Sequence, residues 1–482
     1  MQKDSLNIIY NALALLGYLF TFACVSYYVK QNLNDTICAL ATAPAVSAIG
    51  VIRVSGAQAI SLVNTIFKGK DLTQQATHTI HFGKIVIGNQ IIDEVLASLF
   101  IAPKSYTGEN TVELSCHGSP YIQQQILQLL VQQGCRVAQP GEFTLRAFLN
   151  KKLDLSQAEA VADLIASDSD ESHKMAMNQM RGGFSAQINQ MRERLINFAS
   201  LIELELDFAE EDVEFAKRTE LIQLVADILT LINSLTESFK YGNAIKNGIP
   251  TVIAGKPNAG KSTLLNALIN EERAIVSDIA GTTRDTIEEA FVLDGITFRL
   301  IDTAGIREHA ADVIEEKGIE RTFEKIQKAS IVIYVFDASN TTADELENEL
   351  KTFADLNAII IPVANKTDLA AQQIQLSAAL SIIQLSAKTL AGVQTLKQRL
   401  IEAVRTDEVK NDVIITNLRH FEALKQAADS LTQVLNGIEM GISGDLIAFD
   451  IRRALFHLGE ITGEVTTDDL LANIFSKFCI GK

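Results

Sequence analysis

Several polar runs stand in an order and spacing suited to a phosphorylated ligand. Gly255-Lys256-Pro257-Asn258-Ala259-Gly260-Lys261-Ser262 follows the apolar run Thr251-Val252-Ile253-Ala254 and precedes a helical stretch that opens at Thr263. This is G-x-x-x-x-G-K-S. Its glycines let backbone N–H groups close on phosphate oxygens, and the helix N-terminus adds its dipole. Lys261 suits the β/γ oxygens and the Ser262 hydroxyl suits Mg²⁺. Further on, Phe298-Arg299-Leu300-Ile301 delivers Asp302-Thr303-Ala304-Gly305. There a carboxylate can hold Mg²⁺ indirectly and the Gly305 N–H can sense a γ-phosphate. Between these lies Ser277-Asp278-Ile279-Ala280-Gly281-Thr282-Thr283, a loop able to close over Mg²⁺ through a threonine hydroxyl, assigned to Thr283.

The strand-like run Ile359 to Ala364 delivers Asn365-Lys366-Thr367-Asp368, and Ile382 to Leu385 delivers Ser386-Ala387-Lys388. A carboxylate at Asp368 accepts from both the N1–H and the 2-amino group of guanine. Adenine lacks that donor pair and would leave the acid unpaired, so the expected ligand is GTP rather than ATP. Nucleotide contacts are expected from Asn258 to Thr263, Ser277 to Thr283, Asp302 to Gly305, Asn365, Lys366, Asp368 and Ser386 to Lys388.

These loops need a strand-and-helix frame, and the chain supplies one between Gly248 and Arg405, read as a nucleotide domain over residues 248–405. Residues 35–149 alternate short apolar runs, such as Ile49 to Val54, Gly83 to Ile87 and Val95 to Ile101, with Gly, Pro and polar breaks, the pattern of a small α/β domain. From Leu155 to Tyr241 apolar residues recur at three and four, without proline. The segment after Asp407 returns to that spacing. About 75 residues make a thin core alone, so the stretches 150–247 and 406–482 are expected to form one discontinuous helical domain around the inserted nucleotide domain.

A chain of 482 residues, 47% hydrophobic and 21% charged with only 7 Pro, is of folded, helix-rich composition and long enough for about three domains. Its net charge of -17 excludes a generally basic nucleic-acid surface, so any RNA contact is local or leans on a partner. Cys24, Cys38, Cys116, Cys135 and Cys479 form no C-x-x-C pair and suit a reducing cytoplasm. Ile8 to Val29 is uncharged and long enough for a bilayer span. Membrane attachment through residues 8–29 is one reading. The reading carried forward takes 1–34 as an extension outside a cytoplasmic protein that has no obligate membrane partner. The acidic run Asp207 to Glu214 reads as a solvated helix end and His117 as a structural histidine near a turn.

From about Asp35 to Lys482 the chain resembles the MnmE (TrmE) tRNA modification GTPases. The resemblance extends beyond the nucleotide motifs to Gly50-Val51-Ile52-Arg53-Val54-Ser55-Gly56, Tyr106-Thr107-Gly108-Glu109, the run Arg136 to Leu155 around Pro140-Gly141-Glu142-Phe143, and Gly463-Glu464 to the tail Phe478-Cys479-Ile480-Gly481-Lys482. It implies a multidomain α/β plus all-α fold with an inserted Ras-like G domain. It implies a homodimer whose N-terminal domains bind a tetrahydrofolate derivative as one-carbon donor and which works with MnmG, a flavoprotein carrying FAD. The implied reaction places an aminomethyl-type group, commonly carboxymethylaminomethyl, on carbon 5 of the wobble uridine of certain tRNAs.

Carried over by motif, the folate contacts fall on Arg53, Glu113, Lys152 and Lys482, and Cys479 belongs to the same tail without an assigned role. Ras-like proteins place a glutamine after the glycine where this chain has Ile306, so hydrolysis must draw on another group. The resemblance implies K⁺ held by Asn258, Ser277, Ile279 and Thr282, and a water-orienting glutamate at Glu315, with Glu316 adjacent to it. The loop Ala43 to Ala48 departs from the family in lacking glycine. The alternative class is a regulatory GTPase switch in ribosome assembly, which calls for an appended RNA-binding domain or a second G domain.

Overall fold

Strict alternation of inward and outward side chains builds the first sheet. In the computed structural model, which describes residues 35–207, 217–271, 289–301, 329–353, 358–369, 381–404 and 413–481, the chain divides into two compact units. One comprises residues up to Ala162, Met180–Arg192 and Leu458 onward. The other comprises Asp163–Gln179 and Glu193–His457.

In the first unit β1 (Ile37–Leu40), β2 (Ser47–Ser55), α1 (Ala59–Ile66), β3 (Phe67–Lys68), β4 (Thr79–Ile87), β5 (Gln90–Phe100), β6 (Thr111–Gly118), α2 (Pro120–Gln132), β7 (Arg136–Val137) and α3 (Glu142–Leu149) follow in order. The strands pair as β3-β4-β5-β6-β2-β1-β7, antiparallel except for β1 with β7. Val95, Ala97 and Leu99 of β5 and Val112, Leu114 and Cys116 of β6 face one way and bury against Val63 and Ile66 of α1 and Ile126 and Leu130 of α2. Proline at the first turn of α2 gives up an N–H that a helix start leaves unpaired anyway. On the opposite face Ile80, Phe82 and Leu96 are exposed at 66%, 62% and 44%.

Four helices follow: α4 (Leu155–Ala166), α5 (Asp170–Met180), α6 (Gly183–Asp207) and α7 (Arg218–Asn247). Among the described residues α7 is the one helix long and apolar enough to cross a membrane. Its Leu221, Val225, Ile228, Ile232 and Leu235 are instead buried to 1% exposure or less.

The second unit then carries β8 (Ile249–Ala254), α8 (Lys261–Glu271), β9 (Glu289–Leu293), β10 (Ile296–Leu300), β11 (Ile331–Asp337), α9 (Ala343–Lys351), β12 (Ile359–Asn365), β13 (Ile383–Gln384) and α10 (Val393–Val404). Its sheet runs β13-β12-β11-β8-β10-β9 and is parallel apart from the β9–β10 hairpin. β11 and β12 are nearly continuous apolar runs, as strands covered on both faces must be. Leu264 and Leu268 of α8 and Leu396 and Leu400 of α10 cover one face. Leu346 of α9 and Phe353 cover the other.

The chain closes with α11 (Leu418–Glu439), α12 (Gly444–Thr462) and α13 (Asp468–Phe475). α11 lies along α7, with Phe239 stacked on Phe421 at 4.6 Å and the Ile415 N–H donating to Ser238 Oγ at 3.1 Å. In the first unit, Leu471, Ile474 and Phe475 of α13, with Phe478, pack on Leu145 of α3 and Leu155 and Ala158 of α4. The tail is thereby anchored to the sheet domain.

Candidate functional site

β8 has parallel neighbours on both sides, β10 and β11, so the loop leaving its carboxyl end sits where the connections diverge, the usual ligand position in such sheets. Gly255 opens that loop at φ +142, and a Cβ there would lie 1.9 Å from the Val335 carbonyl oxygen. Only glycine lets loop and strand approach so closely. Lys261 turns back over the loop, its ammonium donating to the carbonyls of Gly255 at 2.7 Å and Lys256 at 2.9 Å. Burial pushes its pKa down. Ser262 and Thr263 are exposed in the first turn of α8, and Asn258 is exposed with φ +62.

The second loop is locked to the first by Asn365, a 2%-exposed residue at the end of β12. Its amide donates to the Ala259 carbonyl at 2.8 Å, and its side-chain oxygen accepts from the Ala387 N–H at 2.9 Å. One side chain therefore joins the phosphate loop, the Asn365–Asp368 loop and the Ser386–Lys388 loop. Lys366, at φ +62, reaches back to Asp337 at 2.7 Å. Burial works to raise the Asp337 carboxyl, but Lys366 and the Ser339 hydroxyl and N–H together hold it below the ordinary carboxylate range. Asp368 and Lys388 are exposed, and Ser386 and Ala387 are buried. Ser277 to Thr283, Asp302 to Gly305, Glu315, Glu316 and Lys482 lie outside the described residues, as does the extension 1–34.

In the sheet domain Arg53 of β2 stands opposite Glu113 of β6, and its Nε donates to Glu113 Oε1 at 2.9 Å. The guanidinium lies 5.3 Å from the Tyr106 ring and 5.6 Å from the Phe143 ring, within cation–π range of both. Its Nη1 points to the Gly481 carbonyl at 3.5 Å. Gly481 has φ +96, and a Cβ there would fall 2.3 Å from the Leu40 carbonyl. The Gly141 N–H donates to the Cys479 carbonyl at 3.4 Å. The C-terminal tail therefore meets Arg53 across 428 residues of sequence. Lys152 donates to the Pro103 carbonyl at 3.1 Å, at the base of the loop that carries Tyr106.

Behind Arg53 lies an ionic network to which the sequence reading gave no role. Arg146, 1% exposed, donates to Asp35 at 2.5 Å, to Glu142 at 3.0 Å and to Glu109 at 3.3 Å. Arg136 binds Asp35 and Glu142, each at 2.5 Å. Burial works to raise Asp35 and Glu142, but the two arginines hold both below the ordinary carboxylate range. Arg146 reaches these carboxylates through Nη1 and Nη2, while its buried Nε has no partner among the described residues, so the network is held by two of the three guanidinium nitrogens. Its advance signal was that Glu109, Arg136, Glu142 and Arg146 fall in the motifs carrying the resemblance. His117 holds the buried Asp93 through Nδ1 at 2.6 Å and through its backbone N–H at 2.8 Å, while its ring is exposed. Cys38, Cys116 and Cys135 are buried free thiols and Cys479 is an exposed one.

A phosphate loop and the Asn365–Asp368 loop, fastened together by Asn365 at the carboxyl end of a doubly wound sheet, give the second unit the frame of a P-loop GTP hydrolase. The family described as "GTP-binding protein TrmE N-terminus" matches residues 36–152, and that described as "MnmE helical domain" matches 155–479. The chain belongs to the MnmE (TrmE) family of tRNA modification GTPases. Curated proteins of that name from Christiangramia forsetii (57% identical, covering 94% of this chain and 100% of its own), Flavobacterium johnsoniae (56%; 93% and 99%) and Cytophaga hutchinsonii (54%; 94% and 98%) are among its relatives.

Proposed function

We propose that this GTPase, acting as a homodimer with the FAD-carrying flavoprotein MnmG, adds an aminomethyl-type group, commonly carboxymethylaminomethyl, to carbon 5 of the wobble uridine of certain tRNAs. The one-carbon unit comes from a tetrahydrofolate derivative. The observation that carries this reading is the meeting of Glu113 and the Gly481 carbonyl at Arg53, whose guanidinium lies within cation–π range of two aromatic rings. A carboxylate and a carbonyl can accept from the amide and amino edge of a pterin, as they would from guanine. Arg53 orients Glu113, and Lys152 suits the anionic glutamate tail. The uncovered apolar face of the sheet, with Ile80, Phe82 and Leu96, supports the homodimer. Unpaired buried thiols are in keeping with a cytoplasmic setting.

For hydrolysis, Mg²⁺ held by Ser262 and Thr283, and K⁺ held by Asn258, Ser277, Ile279 and Thr282, would supply positive charge to the phosphates. Asn258 suits that task because it is an exposed residue of the loop with an amide oxygen to offer. Lys261 neutralises the β/γ oxygens, and Glu315 orients water. Titrating tetrahydrofolate into the full chain tests the reading. Arg53→Ala and deletion of residues 479–482 should each abolish folate binding while GTP turnover is kept. Undiminished binding in both variants would overturn it.

A further inference from the structure

The phosphate loop is clamped at three places, and the motifs account for two. Gly255 is pinned beneath the Val335 carbonyl of β11, and Ala259 is held by Asn365. The third clamp is made of side chains. Lys256 Nζ lies 2.6 Å from Glu349 Oε1 on α9, and the other oxygen of Glu349 accepts the hydroxyl of Tyr334. Tyr334 neighbours Val335 on β11 and is buried, its ring 5.4 Å from that of Phe353. Burial, and then the Glu349 carboxylate, push the phenol above its ordinary range, so it stays a donor. The Glu349 side chain is 25% exposed and that of Lys256 53%, so the pair is part-exposed and its contribution modest.

Lys256 is an informative residue to hold. It opens the turn Lys256-Pro257-Asn258-Ala259, closed by the Ala259 N–H donating to the Lys256 carbonyl at 3.3 Å. Proline followed by an asparagine at φ +62 is the sequence of a type II turn. The same carbonyl accepts from the Lys261 ammonium at 2.9 Å. The backbone position of Lys256 therefore sets both the turn carrying Asn258 and the resting place of the lysine that meets the phosphates.

We infer that Lys256, Glu349 and Tyr334 form a positioning relay for nucleotide binding. Tyr334 orients Glu349, Glu349 holds Lys256, and Lys256 fixes the phosphate loop in its nucleotide-accepting shape. All three act through the loop. Preorganisation of this kind appears as slower nucleotide loss, because an unclamped loop spends part of its time in shapes that do not bind.

The test uses the full chain in Mg²⁺ buffer and follows release of N-methylanthraniloyl-GDP by stopped flow, with the thermal midpoint measured beside it. Lys256→Met, Glu349→Gln and Tyr334→Phe should each speed release about fivefold, the upper range for a part-exposed ion pair. They should raise KM for GTP with kcat and the thermal midpoint held. Lys256→Met combined with Glu349→Gln should be no faster than either alone, because both break one link. Lys256→Arg, which keeps the cation beside Glu349, should keep release slow. Release at the parent rate in Lys256→Met, or singles that multiply in the double variant, would overturn the relay. Should Glu349→Gln fail to fold, Lys256→Met and Tyr334→Phe decide by the same readout, since both leave the carboxylate in place.

Discussion

Asn365→Ala removes a side chain that joins the phosphate loop to the Asn365–Asp368 and Ser386–Lys388 loops, and its cost can be worked from the contacts. Two hydrogen bonds disappear, to the Ala259 carbonyl at 2.8 Å and from the Ala387 N–H at 2.9 Å. Both are inside the protein, Asn365 being 2% exposed. Each bond is worth about 0.5–1.5 kcal/mol net, and a buried group left without a partner costs about 1–3 kcal/mol. A water admitted into the space would recover part of this, which leaves about 2–4 kcal/mol. The loops hold the ligand rather than the core, so much of the loss should fall on GTP binding. At about 1.4 kcal/mol per factor of ten, 2 kcal/mol weakens GTP about thirtyfold. Calorimetric titration with GTP against the parent chain measures it, with a thermal scan to separate unfolding. An affinity within about threefold of the parent would refute the idea that Asn365 is the joint, because that ratio is under 1 kcal/mol.

Asp368→Asn should move preference from guanosine to xanthosine triphosphate, as an amide can pair with the xanthine oxygen; unchanged GTP affinity in a competition titration would contradict it. Potassium, but not sodium at equal ionic strength, should stimulate hydrolysis, with the stimulation lost in Asn258→Ala and turnover lowered without loss of GTP binding in Glu315→Ala. Phosphate-release assays in the two salts decide this, and an effect at Glu316 instead of Glu315 would reassign the residue. Asp35 and Glu142 have folded pKa values below their unfolded ones, so they contribute stability above the unfolded values, and it drains as pH falls through the folded ones. The thermal midpoint should therefore drop below about pH 4, and drop less steeply in Glu142→Gln, whose already lower midpoint has fewer protons left to take up.

The phosphate loop and the loops at Asn365–Asp368 and Ser386–Lys388 were legible in the sequence because each is a short consecutive run delivered by a strand the apolar pattern marks. What Asn365 does was not legible. Its motif position announces base recognition, whereas its amide is spent on Ala259, 106 residues away. Arg146 reads as one more charge on a helix, and only its 1% exposure and its partner Asp35, 111 residues distant, reveal a buried network. Periodicity gave strands but not partners: β1 pairs in parallel with β7, a two-residue strand that no alternation could signal. Glu349 was invisible for the same reason, as its role depends on α9 packing beside β11.

The central claim, a GTP hydrolase whose work is tRNA modification, is tested most directly by mass analysis of nucleosides from the tRNA of a strain lacking this chain. Loss of the 5-substituted wobble uridine is predicted, with its return on restoring the parent chain and no return with Lys261→Ala. An unchanged nucleoside profile in the deletion strain would contradict the account.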